Sequence, residues 1–238
     1  MLTWLKKKSN FLTVDLHSHL IPEIDDGAKS WDESIALVTA LSQLGYKKII
    51  TTPHIIHDYY PNTISVITKG VQKLNALLSE KNINVIVEPG AEYFIDEHFA
   101  KQAKASSEFL TFGDNYILIE TPFVNKPIFL EEVIFNLQSK GLKPILAHPE
   151  RYAYLTQNPD LLDQLISNGV YMQVNINSLT GYYSKEAHLF AKKLIASNKI
   201  HFLATDLHNH KHLEQLKKTI KSRLFQKCRQ LELLNSTL

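Results

Sequence analysis

The chain has 238 residues, 44% hydrophobic and 21% charged, which is typical of a globular protein and excludes disordered, collagen-like and low-complexity classes. Its 26 Lys and Arg residues exceed its 24 Asp and Glu residues by too little to indicate a nucleic-acid or acidic-membrane partner. The single cysteine, Cys228, excludes a disulfide framework and fits a reducing cytoplasm, and no apolar stretch approaches the ~20 residues that span a bilayer. We expect a cytoplasmic protein without membrane insertion, with residues 1–10 as an N-terminal arm and 11–238 as one domain.

Short runs rich in β-branched and aromatic residues alternate with longer helical patterns, which is typical of an α/β fold with a parallel sheet. Ser30 followed by Glu33 forms a capping box that predicts the start of the first helix. The predicted helices are 32–44, 63–80, 127–140, 159–168, 185–197 and 212–234. The seven predicted strands are Phe11–Leu16, Lys48–Thr52, Asn84–Glu88, Tyr116–Ile119, Lys143–Ala147, Val170–Val174 and His201–Ala204. Because no glycine-rich phosphate or dinucleotide loop follows the first strand, the pattern favours a closed β/α barrel over an open doubly wound sheet.

Side chains of metal-ligand type follow the ends of these strands. His17 and His19 point to the same side because side-chain direction repeats every two residues along a strand, and Asp206 and His208 have the same spacing. In a parallel barrel these strand ends lie on one face, so residues distant in sequence meet there. We therefore predict a multinuclear metal site of imidazoles and carboxylates, which suit manganese, iron or zinc. Its other candidates are Asp26, His54, Glu92, Glu120 and His148.

Each of these residues, taken alone, could instead have a purely structural role. An isolated His is more often a hydrogen-bonded core residue than a ligand, and Asp206 could cap the last helix. Asp25 competes with its neighbour Asp26 for the place on the loop, where an Asp-Gly pair is also typical of a turn. The metal prediction depends on the whole set rather than on any one member.

Other hydrolytic chemistries have little support in the sequence. A cysteine phosphatase needs a reactive Cys and an Arg at fixed spacing, but Leu234 stands at that position after Cys228, which we expect to be an inert packing residue. There is no G-x-S-x-G nucleophile elbow and no P-loop.

The segments DLHSHLIPEIDDGAKSWDES, TTPH, PGAEYF, ILIETP, AHPERY and TDLHN resemble the PHP (polymerase and histidinol phosphatase) superfamily. Within it they are most similar to the bacterial manganese-dependent protein-tyrosine phosphatases of capsular and exopolysaccharide synthesis, the CpsB/YwqE type. The resemblance implies a distorted (β/α)7 barrel as a single domain. It also implies three divalent metal ions, with manganese as the first choice and iron or zinc as alternatives.

The resemblance further implies which ion each candidate ligand would hold. In that arrangement Glu92 bridges the first and second ions. The three sets are His17, His19, Glu92 and Asp206; Glu92, Glu120 and His148; and Asp26, His54 and His208.

Three further residues carry implied roles in phosphate chemistry. Arg151, in the His-Pro-Glu-Arg element, corresponds to the phosphate-binding arginine of the family. A second arginine that family members often carry after the Asp-x-His element is absent, and Lys211 or one of the histidines beside it is expected to substitute. A protonated group near the leaving phenolate, either a histidine such as His210 or a metal-bound water, is expected to assist its departure.

The function expected from the resemblance is hydrolysis of phosphotyrosine, on a bacterial tyrosine kinase of polysaccharide synthesis, by attack of a metal-bridging hydroxide. One alternative is a phosphomonoesterase acting on a small metabolite such as histidinol phosphate, or a PHP nuclease, although the balanced charge does not favour nucleic acid. Another is a non-catalytic metal-binding partner of a kinase. Whether the chain forms a homo-oligomer is left open.

Overall fold

The computed structural model describes residues 10–105 and 107–238, so the predicted N-terminal arm lies outside the described residues except for Asn10. All paired strands are parallel. In chain order they are β1 (Val14–Asp15), β2 (Lys48–Thr51), β3 (His54–Ile55), β4 (Ile86–Pro89), β5 (Glu92–Phe94), β6 (Tyr116–Glu120), β7 (Lys143–Ala147), β8 (Tyr171–Asn175) and β9 (Phe202–Ala204).

The strands form two sheets, one of three strands in the order β1-β2-β4 and one of six in the order β3-β5-β6-β7-β8-β9. The chain passes from the first sheet to the second twice, between β2 and β3 and between β4 and β5. Gly90 lies at the second passage, where a Cβ atom would approach Ile50, Thr52 and Phe112 to 3.0 Å. A parallel bridge between Ser18 and Leu207 also joins the segment after β1 to the segment after β9. The predicted single-domain α/β fold with parallel sheets is therefore confirmed.

Helices connect most of the strands. They are α1 (Trp31–Gln43), α2 (Ile64–Glu80), α3 (Glu97–Lys104), α4 (Leu130–Ser139), α5 (Ala153–Gln157), α6 (Pro159–Ser167), α7 (Lys185–Ala196), α8 (His210–Thr219) and α9 (Arg223–Lys227). No helix of the described residues is long and apolar enough to cross a bilayer.

The predicted cap of α1 is confirmed in modified form. Ser30 Oγ accepts from the backbone N–H of Glu33 at 3.2 Å. The Glu33 carboxylate accepts from the backbone N–H of Lys29 at 2.9 Å, one residue before the position that a capping box predicts.

The single helix predicted over 212–234 is wrong. Helix α8 ends at Thr219, and α9 begins at Arg223. Ser222 caps α9, because its Oγ accepts from the N–H of Phe225 at 3.2 Å. The apolar pattern did not reveal this break because Leu216 and Phe225 are buried on both sides of it. Cys228 follows α9 and is fully buried, and burial raises the pKa of its thiol to about 12, as expected of a packing residue.

The alternation of side chains in β6 explains how the fold builds both a core and a site. Ile117 and Ile119 face the main hydrophobic core, whereas Leu118 belongs to a second apolar cluster formed with residues of the other strands. Glu120 continues the row of Leu118, because side chains repeat every two residues. The strand thus places apolar side chains along its length and a carboxylate at its carboxyl end.

Candidate metal centre

The nine predicted metal ligands converge at the carboxyl ends of the strands and in the loops that follow them. His17 and His19 are fully buried, and their Nε2 atoms lie 3.2 Å apart. Glu92 Oε2 is 3.0 Å from His17 Nε2 and 3.5 Å from His19 Nε2. Asp206 Oδ1 lies 3.4 Å and 3.6 Å from the same two nitrogens. These four side chains are the set that the resemblance assigns to one ion.

Glu92 also connects to the second set of ligands. Its Oε1 lies 3.0 Å from His148 Nε2, and its Oε2 lies 3.1 Å from His54 Nδ1. The same His54 nitrogen is 2.9 Å from Glu120 Oε1, whereas His148 Nε2 is 3.9 Å from Glu120 Oε2. His54 therefore lies within about 3 Å of two carboxylates of the second set, although the resemblance assigns it to the third ion.

The third set lies at the more exposed side of the centre. Asp26 Oδ1 is 3.3 Å from His208 Nε2 and 3.5 Å from His54 Nε2. His19 joins these three residues, because one ligand atom of each lies within 4.8 Å of the others. His19 and His54 are thus each shared between two groups of donors.

The donor atoms fit divalent cations better than they fit one another. His17 Nε2, His19 Nε2 and Glu92 Oε2 are all within 3.5 Å of each other, yet the ring protons cannot satisfy every pair in that triangle. His54 Nδ1 lies near two carboxylate oxygens but has no properly directed hydrogen bond among the described residues. Nitrogen and carboxylate lone pairs that point at a shared space are the arrangement a metal ion needs.

Hydrogen bonds on the far side of the imidazole rings fix their orientation. His17 Nδ1 donates to Gln173 Oε1 at 2.9 Å, and His19 Nδ1 donates to Asp25 Oδ2 at 2.8 Å. His208 Nδ1 donates to the backbone carbonyl of Asp206 at 3.0 Å. Each bond occupies Nδ1 and turns Nε2 toward the centre, as is usual for metal-binding histidines.

The structure separates the two candidate aspartates of the first loop. Asp25 is buried, holds His19, and accepts the backbone N–H groups of Gly27 at 2.9 Å and His54 at 3.1 Å. Asp26 is exposed and faces the cavity instead. Gly27 is needed beside them, because a Cβ there would lie 2.3 Å from the carbonyl oxygen of His19.

A chain of hydrogen bonds from β8 links two of the ligands, and sequence reasoning missed it. Gln173, which accepts from His17, donates to Asn175 Oδ1 at 2.8 Å, and Asn175 Nδ2 donates to Asp206 Oδ2 at 2.6 Å. Both amides are fully buried. Their signal in the sequence was the pair of polar residues at alternate positions of an otherwise apolar strand.

The electrostatics of the centre keep two of its carboxylates, those of Glu92 and Asp206, ionised. Burial alone would raise the pKa of Glu92, but the imidazoles of His17 and His54 outweigh burial and hold it well below its usual range. The pKa of Asp206 is likewise lowered against burial, mainly by His17 and His208. In return, Glu92 and Asp206 raise the pKa of His17 to about 9 although burial opposes the change.

Two of the ligands stand on strained backbone. His148 follows β7 with a φ of 35°, and Asp206 follows β9 with a φ of 50°. Non-glycine residues pay about 1 kcal/mol or more for the left-handed region, and such strain is concentrated at functional sites.

The centre opens into a cavity of about 510 Å³. Arg151 lines it, and its Nη1 donates to Asp206 Oδ2 at 3.4 Å. Burial would lower the pKa of Arg151, but Asp206 more than compensates and raises it. A permanent cation therefore stands beside the donor cluster, where an anion bound in the cavity would meet it.

The cavity does not include two of the predicted residues. His210 and Lys211 are exposed at the start of α8, and neither lines the cavity. His212, the residue after Lys211, does line it, and its Nδ1 donates to the carbonyl of Asp206 at 3.0 Å. The roles expected of His210 and Lys211 remain predictions, and His212 is the histidine of this segment that the fold brings to the centre.

The sequence matches the family model for capsular polysaccharide synthesis proteins, CpsB/CapC, over residues 13–231. It is 37% identical over 197 residues to the tyrosine-protein phosphatase YwqE of Bacillus subtilis (strain 168), covering 82% of this chain and 77% of that protein. It is 28% identical over 203 residues to the tyrosine-protein phosphatase CpsB of Streptococcus pneumoniae, covering 82% and 83% of the two chains.

Comparison with solved structures indicates the same relatives. A chain from the crystal structures of YwqE and CpsB, which are described as unique metal-dependent tyrosine phosphatases, superposes with a TM-score of 0.78 at 33% identity over 92% of this chain and 94% of the other. A phosphotriesterase homology protein from Escherichia coli, at a TM-score of 0.54, 15% identity and coverage of 92% and 91%, shares the fold alone. The resemblance noted in the sequence is confirmed: the chain belongs to the CpsB/CapC family of capsular polysaccharide synthesis.

Proposed function

We propose that this chain is a metal-dependent protein-tyrosine phosphatase that hydrolyses phosphotyrosine on a protein, with a tyrosine kinase of capsular or exopolysaccharide synthesis as its substrate. The observation that carries the proposal is the convergence of nine imidazole and carboxylate side chains beneath a cavity of about 510 Å³ that Arg151 also lines. Metal-dependent tyrosine phosphatases among its relatives support it.

The centre would hold three divalent ions, with manganese as the first choice and iron or zinc as alternatives. The ligands would be the nine predicted residues, with Glu92 as the bridge between the first two ions. His19 and His54 each belong to two groups of donor atoms, which supports a compact site in which neighbouring ions share ligands. Bound cations would supply an activated water nucleophile at neutral pH and would offset the charge of the phosphoryl group.

The protein's own residues would bind and orient the phosphomonoester. Arg151 presents N–H donors in a planar fork that matches two phosphoryl oxygens, and a negative charge that develops there during displacement would be stabilised by it. Asp206 holds one of those donors from the opposite side. His212 lines the cavity and donates from Nδ1 to the carbonyl of Asp206, so it would donate to a phosphoryl oxygen from Nε2 only as an imidazolium.

The same proposal includes the closure of the barrel, the cellular location of the protein and the absence of a nucleic-acid partner. The two sheets would form a distorted, closed (β/α)7 barrel over 11–238, supported by the Ser18–Leu207 bridge and by the hydrogen bond from the N–H of Asp206 to the carbonyl of His17. The protein would act in the cytoplasm, without nucleic acid as a partner.

The test compares substrates on the metal-loaded protein. A phosphotyrosine peptide, a phosphoserine peptide, histidinol phosphate and single-stranded DNA are each assayed with manganese, with zinc and after chelation. We expect metal-dependent turnover that is fastest on the phosphotyrosine peptide. Faster turnover of histidinol phosphate or DNA would assign one of the alternative activities, and no turnover of any substrate by fully loaded protein would favour a non-catalytic partner.

A further inference from the structure

The polar contacts of the Arg151 side chain would not be enough to fix its position. Its ion pair with Asp206 spans 3.4 Å, and the described residues offer it no second carboxylate within 4.0 Å. Charged N–H···O contacts of good geometry are shorter, about 2.7–2.9 Å. One long contact does not fix the plane of a guanidinium at the end of a flexible side chain.

Two aromatic rings supply the missing restraint. The guanidinium carbon of Arg151 lies over the ring of Phe123 at 4.6 Å from its centroid and over the ring of Tyr183 at 4.4 Å. Both distances are within the ~6 Å range of cation–π attraction. Tyr183 is itself anchored, because its hydroxyl donates to Asp206 Oδ2 at 3.2 Å and accepts from Asn175 Nδ2 at 3.3 Å. We call Phe123 and Tyr183 the aromatic clamp.

The clamp also stands between two cavities. A second cavity, of about 450 Å³, lies beside the metal centre, and the residues that line both are Phe123, Arg151 and Tyr183. Glu150 and Glu186 line the second cavity. The carboxylate of Glu150 is buried and already accepts from Asn175 and Ser178, whereas Glu186 is exposed and offers its carboxylate to a cation there. A guanidinium released from the clamp would therefore have both the space and the electrostatic reason to turn away from the metal centre.

We propose that Phe123 and Tyr183 are positioning residues. They hold the Arg151 guanidinium toward the cavity of the metal centre rather than the second cavity, ready to bind a phosphoryl group. The inference rests on the proposed function of Arg151. Its physical basis is preorganisation: a donor fixed before the substrate arrives loses little conformational entropy on binding and needs no reorganisation as charge develops.

The experiment measures the affinity of the manganese-loaded protein for inorganic phosphate by calorimetry, together with KM and kcat on a phosphotyrosine peptide. Phe123→Leu and Tyr183→Leu should each weaken phosphate binding about tenfold and raise KM, with metal content unchanged. Tyr183→Phe keeps the ring over Arg151 but removes its hydrogen bond to Asp206, so its loss of phosphate affinity should be smaller than that of Tyr183→Leu. Tyr59→Leu, the same change at a ring that is 80% exposed, is the matched control.

The decisive comparison repeats Tyr183→Leu in an Arg151→Ala background. If the ring acts through the guanidinium, the second substitution should change phosphate affinity by less than about twofold there, because coupled residues are not additive. An equal loss with and without Arg151, or no loss in either clamp variant, would overturn the inference. If the wild type binds phosphate but does not turn over the peptide, the proposed function fails while the affinities still test the clamp.

Discussion

Replacing Glu92 with glutamine removes one negative charge from the middle of the metal centre while the size of the side chain is kept. The carboxylate lies between 3.0 Å and 3.5 Å from nitrogens of four imidazoles, those of His17, His19, His54 and His148. Glutamine would present an N–H₂ group to some of these nitrogens in place of an acceptor. In the proposed centre, it would also remove the anion expected to bridge two neighbouring ions.

The magnitude follows from charge and distance. Opposite unit charges about 3 Å apart attract by about 5 kcal/mol at an effective dielectric constant of about 20, and the desolvation of the partners offsets part of this. We expect about 3 kcal/mol of the barrier reduction to be lost, which is about two orders of magnitude in turnover. Metal content should fall as well, because the bridging ligand is weakened.

The assay measures metal content by elemental analysis and kcat on a phosphotyrosine peptide at saturating Mn²⁺. Glu88→Gln is the matched control, since Glu88 lies on β4 just before the site and pairs with Lys48 at the surface at 2.8 Å. In the metal-free protein, NMR should also find the pKa of His17 lowered from about 9, because Glu92 is the main group that raises it. Wild-type metal content and turnover in Glu92→Gln would refute the bridging role.

Three other predictions concern the phosphate contact, the thiol and a pH effect. Arg151→Ala should keep its metal content, because arginine has no lone pair to donate to a metal, but its kcat/KM should fall about 100-fold. Arg151→Lys should recover only part of that loss, and retention of nearly all kcat/KM in Arg151→Ala would assign phosphate binding to another residue. Cys228 is buried with its thiol pKa raised to about 12, so a thiol reagent should label it only as fast as the chain unfolds, and rapid labelling of the native protein would contradict that. Burial lowers the pKa of His201, whose Nδ1 accepts from the N–H of Met172 at 3.0 Å. The unfolded chain therefore takes up this proton first as pH falls below about 6.5, so the contribution of His201 to the free energy of unfolding declines there. In urea titrations, the free energy of unfolding of the wild type minus that of His201→Asn should fall as pH is lowered through this range; a difference that does not change with pH would rule the effect out.

The convergence of the candidate metal ligands could be predicted from the sequence because topology alone brings them together. His17, Glu120 and His148 each end or follow a strand, and parallel strands deliver their carboxyl ends to one edge whatever the details of packing. The short strands β3 and β5 could not be predicted in this way. Each has only two or three residues, and each is defined by pairing with a neighbour rather than by its own composition.

The residues that orient the ligands were harder to find, because their roles depend on packing between distant segments. His210 and Lys211 were chosen for charge and proximity in sequence, but the helical turn of α8 carries His212 to the cavity instead. Gln173 and Asn175 were overlooked, although two fully buried amides are costly unless each has a partner. The alternation that places Leu118 and Glu120 on one side of β6 also operates in β8. A polar residue at alternate positions of an apolar strand therefore predicts a hydrogen-bond partner at the same end of the sheet, and here that partner is a candidate metal ligand in both cases.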